Sequence, residues 1–182
     1  MMKWLIKAVD GLALVLYWIS GLALVLYWIS GFLLVVMMLS VVFDVVSRGL
    51  FAATDGNVDI TFVGGIELVK YSLLFSMLCA FPYAVDKGQI VVDLFTQGWS
   101  DRTQRWTDGF YTLCFGIFGG LLCWRFALAG EEAEMSGELT QDLLMPMSPI
   151  YWVASFALAV LALRGVVSGL AQWVGPLKEA NR

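Results

Sequence analysis

The most constraining feature of the sequence is an apolar segment that runs from Gly11 to about Val46 and carries no charge before Asp44. About 20 apolar residues are enough to cross a hydrocarbon core of roughly 30 Å, so this segment is predicted to span a membrane. Lipid offers the backbone no hydrogen-bond partners, and the alternating pattern of a membrane β-barrel is absent. The segment is therefore predicted to be helical, and the chain to be an integral membrane protein.

The same segment contains a ten-residue duplication, because GLALVLYWIS stands at 11–20 and is repeated letter for letter at 21–30. Ten helical residues rise about 15 Å, which is half the thickness of the hydrocarbon core. Without one copy the segment would have an ordinary spanning length. We therefore predict a first span at about 20–46, with the extra length projecting from the membrane or lying in its interface, where Tyr17 and Trp18 would sit near the headgroups.

Composition extends the membrane assignment to the whole chain. Of the 182 residues, 60% are hydrophobic and the mean hydropathy is +0.80, whereas soluble domains use about 45–50% apolar residues. Further spans are predicted at about 60–85, 104–129 and 150–173, and a short amphipathic helix on the membrane surface at about 89–99. The predicted fold is a single all-α membrane domain over 1–182, with four transmembrane helices plus the short interfacial helix.

The distribution of positive charge predicts the orientation. One side of the membrane collects the residues Lys3, Lys7, Lys87, Arg102, Arg105, Lys178 and Arg182. By the positive-inside rule both termini should be cytoplasmic, which four crossings satisfy. The connection at 47–61 and the acidic connection at 130–149 then lie outside. The acidic connection suits either a solvated loop or the docking of an extracytoplasmic partner.

The residue inventory argues against most chemistry. Histidine is absent, which removes the usual axial ligand of membrane haem and the usual general base. Cys79, Cys114 and Cys123 lie in apolar segments without Cys-x-x-Cys spacing. No catalytic residue, cofactor or metal site is predicted. The net charge of −4 and the lack of a basic patch argue against nucleic acid as a partner.

Charged residues inside or beside a bilayer are costly, so they are the first places to look for function. Asp44 and Arg48 stand four residues apart, a spacing that favours an ion pair at the end of the first span. Glu67 and Lys70 stand three residues apart. Their spacing suits either a similar pair or a contact with a neighbouring polypeptide.

Two other sets of residues suggest contacts rather than chemistry. Arg125 and Arg164 lie close enough to helix ends to reach the headgroups, so each is predicted to contact a lipid phosphate or a partner. Small residues four apart let helix backbones approach closely. The glycines with this spacing are Gly116 with Gly120, and Gly165 with Gly169.

A series of short motifs runs through residues 45–109. These motifs are Arg48 after the first span, Glu67 with Lys70 and Tyr71 in the second, and KGQIVVDL at 87–94 before the third. Their order resembles the small permease subunit, of DctQ type, of tripartite ATP-independent periplasmic (TRAP) transporters. That family often has a histidine where Gln89 stands, so a proton-linked role does not carry over to this position.

The resemblance implies a scaffold in the bacterial inner membrane with two protein partners. One is the large permease (M) subunit, which in this family holds the substrate and sodium sites and moves the substrate by an elevator mechanism. The other is a periplasmic substrate-binding (P) protein, which delivers an anionic solute, commonly a carboxylate. Interface contacts are expected at Arg48, Glu67, Lys70, Tyr71, Glu131, Glu132 and Glu134.

Two alternatives come from other classes of protein. A small self-associating multidrug-type exporter would need a carboxylate in mid-membrane, whereas Asp44 and Glu67 lie near helix ends with a cation one turn away. A membrane anchor of an enzyme complex would have to work without histidine-ligated haem.

Overall fold

The computed structural model describes residues 2–56, 60, 62–85 and 98–174. In these ranges the chain forms four α-helices, which are α1 (Met2–Ala53), α2 (Gly65–Ala84), α3 (Asp101–Ser136) and α4 (Ser148–Val174). Each is long and apolar enough to cross a membrane, which confirms the predicted all-α class with four spanning helices. The cytoplasmic location of the termini stays a prediction. Most of the predicted interfacial helix at 89–99, and the whole motif at 87–94, lie outside the described residues.

Two helices are longer than the spans predicted for them. α1 is one uninterrupted helix of 52 residues, about 78 Å at 1.5 Å per residue, and contains no proline that would break it. α3 continues past the predicted end near residue 129, because the following glutamates, alanine and methionine favour helix. It ends at Gly137, whose φ of 65° lies in the left-handed region. Seven residues assigned to the acidic connection, 130–136, therefore belong to α3.

The helices pack as two pairs joined through α4. α1 lies along α2, α3 lies along α4, and α4 also contacts α1 and α2, whereas α3 approaches only α4 among the described helices. The buried core forms where α4 meets the first pair. It includes Leu26 of α1, Leu78 of α2, and Ala154, Leu158 and Leu161 of α4.

Burial is distributed unevenly over the four helices. Only 6% of the most apolar stretch of α1 is buried, and 17% of that of α3, against 56% for α4. Large apolar side chains such as Phe32 of α1 and Phe118 of α3 are exposed, at 68% and 57%. α4 is thus the central helix, and α1 and α3 turn broad apolar faces towards lipid or another protein.

The two copies of the decapeptide occupy different environments. In the second copy, the ring of Tyr27 lies 4.7 Å from that of Tyr83, and the Oγ atoms of Ser30 and Ser76 are 3.3 Å apart. α2 ends one residue after Tyr83, so the first copy extends beyond it. Tyr17, the counterpart of Tyr27, is 78% exposed. The second copy therefore belongs to the bundle, and the first copy lies mainly outside it.

Matched substitutions in the two copies test this difference. Leu26→Ala should destabilise the protein by about 2 kcal/mol, the lower end of the range for a buried leucine, because Leu26 is 7% exposed within the core. Leu16→Ala changes the same local sequence outside the core and should cost much less. Unfolding of both variants in detergent micelles measures the two effects. Equal losses of stability in the two variants would show that both copies contribute equally to the stability of the bundle.

Candidate functional site

A compact hairpin connects α3 to α4 at residues 137–147. Two backbone hydrogen bonds close it, from Thr140 N to Met145 O at 2.8 Å and from Met147 N to Glu138 O at 2.9 Å. The buried Thr140 hydroxyl also accepts a hydrogen bond from Met145 N at 3.1 Å. The connection between the last two spans is thus an ordered turn rather than an open loop.

Glu67 holds the tip of the 137–147 hairpin. This side chain lies in the first turn of α2 and is only 7% exposed. Its Oε1 accepts a hydrogen bond from Asp142 N at 2.9 Å, and its Oε2 accepts one from Leu143 N at 3.0 Å. Hydrogen bonds to a carboxylate are about twice as strong as neutral ones. The two bonds therefore fix the hairpin to the end of α2.

Residues near Glu67, on the same side of α2 or just before its first residue, make further contacts with the hairpin. The side chain of Leu143 lies so close over Gly64 that a Cβ at that position would overlap with it. The Tyr71 hydroxyl donates a hydrogen bond to the Sδ of Met147 at 3.3 Å. Positions 64, 67 and 71 share one side of a helix because of its 3.6-residue period. Together they anchor the hairpin at its tip and at its return to α4.

The residues predicted for partner contacts thus separate into two groups. Glu67 and Tyr71 make contacts within the chain, and Glu67 bonds to the hairpin rather than to Lys70. Lys70 is exposed, with its Nζ 5.5 Å from the centroid of the Tyr71 ring. Arg48 is exposed as well and pairs with Asp44 at 2.9 Å, as their spacing suggests. Lys70 and Arg48 are therefore the accessible members of this set.

The other residues predicted for partner contacts are also exposed. They lie on the last turns of α3, immediately before the hairpin, and are Glu131, Glu132 and Glu134. The hairpin itself adds exposed carboxylates and exposed apolar side chains. These are Glu138 and Asp142, with Leu139 at 52%, Leu144 at 67% and Met145 at 53% exposure. The result is an acidic surface with an apolar tip, which we name the acidic face.

Close packing of α3 on α4 depends on some of the predicted glycines. A Cβ on Gly165 would lie 2.6 Å from the Cα of Gly116, and one on Gly169 would lie 3.0 Å from the carbonyl oxygen of Gly109. Gly120 has room, since its nearest neighbour would be 3.8 Å away. The GxxxG spacing does not identify Gly109. This glycine stands seven residues before Gly116 and therefore lies on the same side of α3.

The two arginines predicted to contact lipid differ in position. Arg125 is exposed on α3. Arg164 is only 5% exposed, and its guanidinium carbon lies 5.8 Å from the centroid of the Tyr83 ring. Protein covers most of this residue because α4 is the central helix, and its contact with a lipid phosphate or a partner stays a prediction. Nowhere in the described ranges do three or more histidine, cysteine or carboxylate side chains gather to hold a metal ion.

Comparison with known proteins identifies the family. The family model described as tripartite ATP-independent periplasmic transporters, DctQ component, matches residues 37–175. No curated protein and no solved structure matches the chain. The matched range includes Glu67, the 137–147 hairpin and the close-packed glycines, and it begins after the duplicated decapeptide. Because the match covers well over half of its length, the chain belongs, as a transporter component and not an enzyme, to the DctQ family of tripartite ATP-independent periplasmic transporters.

Proposed function

We propose that this small TRAP transporter subunit is a scaffold with two contact surfaces. One surface braces the large permease (M) subunit in the bacterial inner membrane. The other, the acidic face, helps to dock the periplasmic substrate-binding (P) protein. The transporter would take up an organic anion such as a carboxylate with sodium, and the substrate and sodium sites would lie in the large subunit.

The observation that carries the docking role is the fixed geometry of the acidic face. Leu144 and Met145 remain exposed at the tip of a hairpin that Glu67 holds in place. Exposed apolar residues surrounded by charged ones are typical of protein contact sites. A partner that fits this face would present apolar residues within a basic rim, because the surrounding carboxylates attract positive charge.

The bracing role is supported by the exposure of α1 and α3. Among the helices that the structure describes, α3 packs on α4 alone, and α1 contacts α2 and α4. The outward face of α3 carries Phe110, Ile117 and Leu121, each more than half exposed. Such faces can accept the helices of a larger membrane protein without rearrangement of the small subunit.

The positions of the carboxylates argue against the exporter alternative. Asp44 pairs with Arg48, and both oxygens of Glu67 accept hydrogen bonds from the hairpin. Proton exchange across the membrane would need a carboxylate that substrate and protons can reach in turn. These two residues serve structure instead.

Co-purification tests the proposed scaffold. The tagged chain, extracted from its native membrane in mild detergent, should carry with it one much larger polytopic membrane protein in about equal amount. Mass spectrometry and gel densitometry measure identity and ratio, with an untagged membrane extract as control. Recovery of a homodimer alone would favour the exporter, and recovery of a soluble redox enzyme would favour the anchor.

A further inference from the structure

A cavity lies at the end of the bundle opposite the hairpin, where α3 begins and α4 ends. Its volume is about 440 Å³, and it is lined by Arg102, Arg105, Trp106, Gln172 and Trp173. The geometry points to a binding site for the headgroup of an anionic glycerophospholipid, of the phosphatidylglycerol type. This site belongs to the small subunit alone and does not depend on the partners proposed above.

The position of the cavity matches the level of lipid headgroups. The membrane-spanning stretch of α3, Arg102–Ser136, begins there, and that of α4, Ser148–Trp173, ends there. Trp106 is 57% exposed and stacks on Trp173, with ring centroids 5.2 Å apart. Tryptophan is enriched at this level, where an apolar ring meets a polar surface. A lipid whose acyl chains run along α3 would therefore place its phosphate beside the cavity.

The charges of the cavity favour an anion. Arg105 donates a hydrogen bond to the carbonyl oxygen of Gln172 at 2.8 Å, which holds its guanidinium group at the wall. Arg102, one turn earlier on α3, is exposed. Planar guanidinium groups match phosphate oxygens well, and the amino-terminal end of α3 adds the positive end of a helix dipole. The cavity thus combines two positive charges with an apolar tryptophan pair.

The charge of the lining distinguishes an anionic headgroup from a zwitterionic one. Arg102 and Arg105 bring positive charge to the wall of the cavity. A phosphatidylglycerol headgroup carries a net negative charge, whereas a choline headgroup brings its own cation, which the two arginines would repel. The anionic headgroup therefore fits this lining better than the zwitterionic one.

Lipid binding to the purified full chain tests the site. Native mass spectrometry in mild detergent should detect one retained phosphatidylglycerol, bound more tightly than phosphatidylcholine. Arg102→Gln leaves the bond from Arg105 to Gln172 intact and should weaken phosphatidylglycerol binding roughly fivefold. Lys70→Gln is the control, because it removes a positive charge from an exposed position at the hairpin end of the bundle and should leave lipid binding unchanged.

Three results would overturn the assignment. Equal binding of phosphatidylglycerol and phosphatidylcholine to the unaltered chain would show that the headgroup is not recognised, and this comparison needs no variant. Equal weakening by Arg102→Gln and Lys70→Gln would indicate attraction by net charge alone. Full displacement of the lipid by inorganic phosphate at millimolar concentration would identify a site for soluble anions instead.

Discussion

Replacement of Glu67 by glutamine is expected to release the tip of the 137–147 hairpin. Glutamine has nearly the same shape but lacks the charge and offers only one acceptor oxygen, whereas Glu67 accepts hydrogen bonds from both Asp142 N and Leu143 N. Hydrogen–deuterium exchange at these two amides should become roughly tenfold faster or more, because local opening no longer has to break two charge-assisted bonds. Amides in the middle of α4 should keep their protection.

The control for this experiment is Lys70→Gln, which removes a charge one turn away on the same helix from an exposed side chain. Unchanged exchange at Asp142 and Leu143 in Glu67→Gln would contradict the anchoring role. The functional counterpart is Glu67→Lys, which places a positive charge beside the same amides. Uptake by the reconstituted transporter should fall strongly. Full uptake together with a released hairpin would refute the docking proposal while leaving the structural role intact.

Substitution of Gly116 is expected to disrupt the packing of α3 against α4. A Cβ at this position would lie 2.6 Å from the backbone nitrogen of Val166 and 2.8 Å from the carbonyl carbon of Gly165. Backbone atoms cannot rotate away as a flexible side chain does, so the helices must separate. Gly116→Ala should therefore cost about 1–3 kcal/mol of stability, and Gly116→Val more. Unfolding in mixed micelles, followed by circular dichroism, measures the loss.

Gly120→Ala provides the matched control for Gly116→Ala. Its Cβ would meet only the Cβ of Ala162 at 3.8 Å, an ordinary contact. Alanine also favours helix over glycine by up to about 1 kcal/mol, so this change should be neutral or slightly stabilising. Similar destabilisation by both substitutions would mean that the spacing of the glycines, rather than the closeness of the two backbones, sets the stability.

The number and type of the spanning elements could be predicted without a structure. Lipid compels an apolar backbone to satisfy its own hydrogen bonds, so long apolar runs such as those of α1 and α4 have to be helices. The family could be anticipated as well, because Arg48, Glu67 and the 87–94 motif follow one another in a characteristic order. Helix ends were less predictable, since residues 131–136 are acidic yet favour helix, and α3 continues through them.

Contacts between distant parts of the chain depended on the tertiary structure. Glu67 bonds to residues 75 and 76 positions later, whereas its spacing from Lys70 suited either an ion pair or a contact with a neighbouring polypeptide. The GxxxG pattern also treats Gly116 and Gly120 alike, and only the path of α4 decides which of them is crowded. Arg164 is similar to Arg125 as a cation in an apolar helix, yet it is buried because α4 is central.

The duplicated decapeptide shows most directly which properties follow from the sequence alone and which depend on the tertiary structure. Residues 11–20 and 21–30 are identical, so their hydropathy and helix propensity are identical, and both copies are helical. Their environments nevertheless differ, because the end of α2 lies beside Tyr27, whereas Tyr17 is 78% exposed at the edge of the bundle. The hydropathy and helix propensity of the decapeptide make each copy a helix that is compatible with a membrane. Packing against α2 and α4, which no local pattern encodes, decided which copy became part of the core.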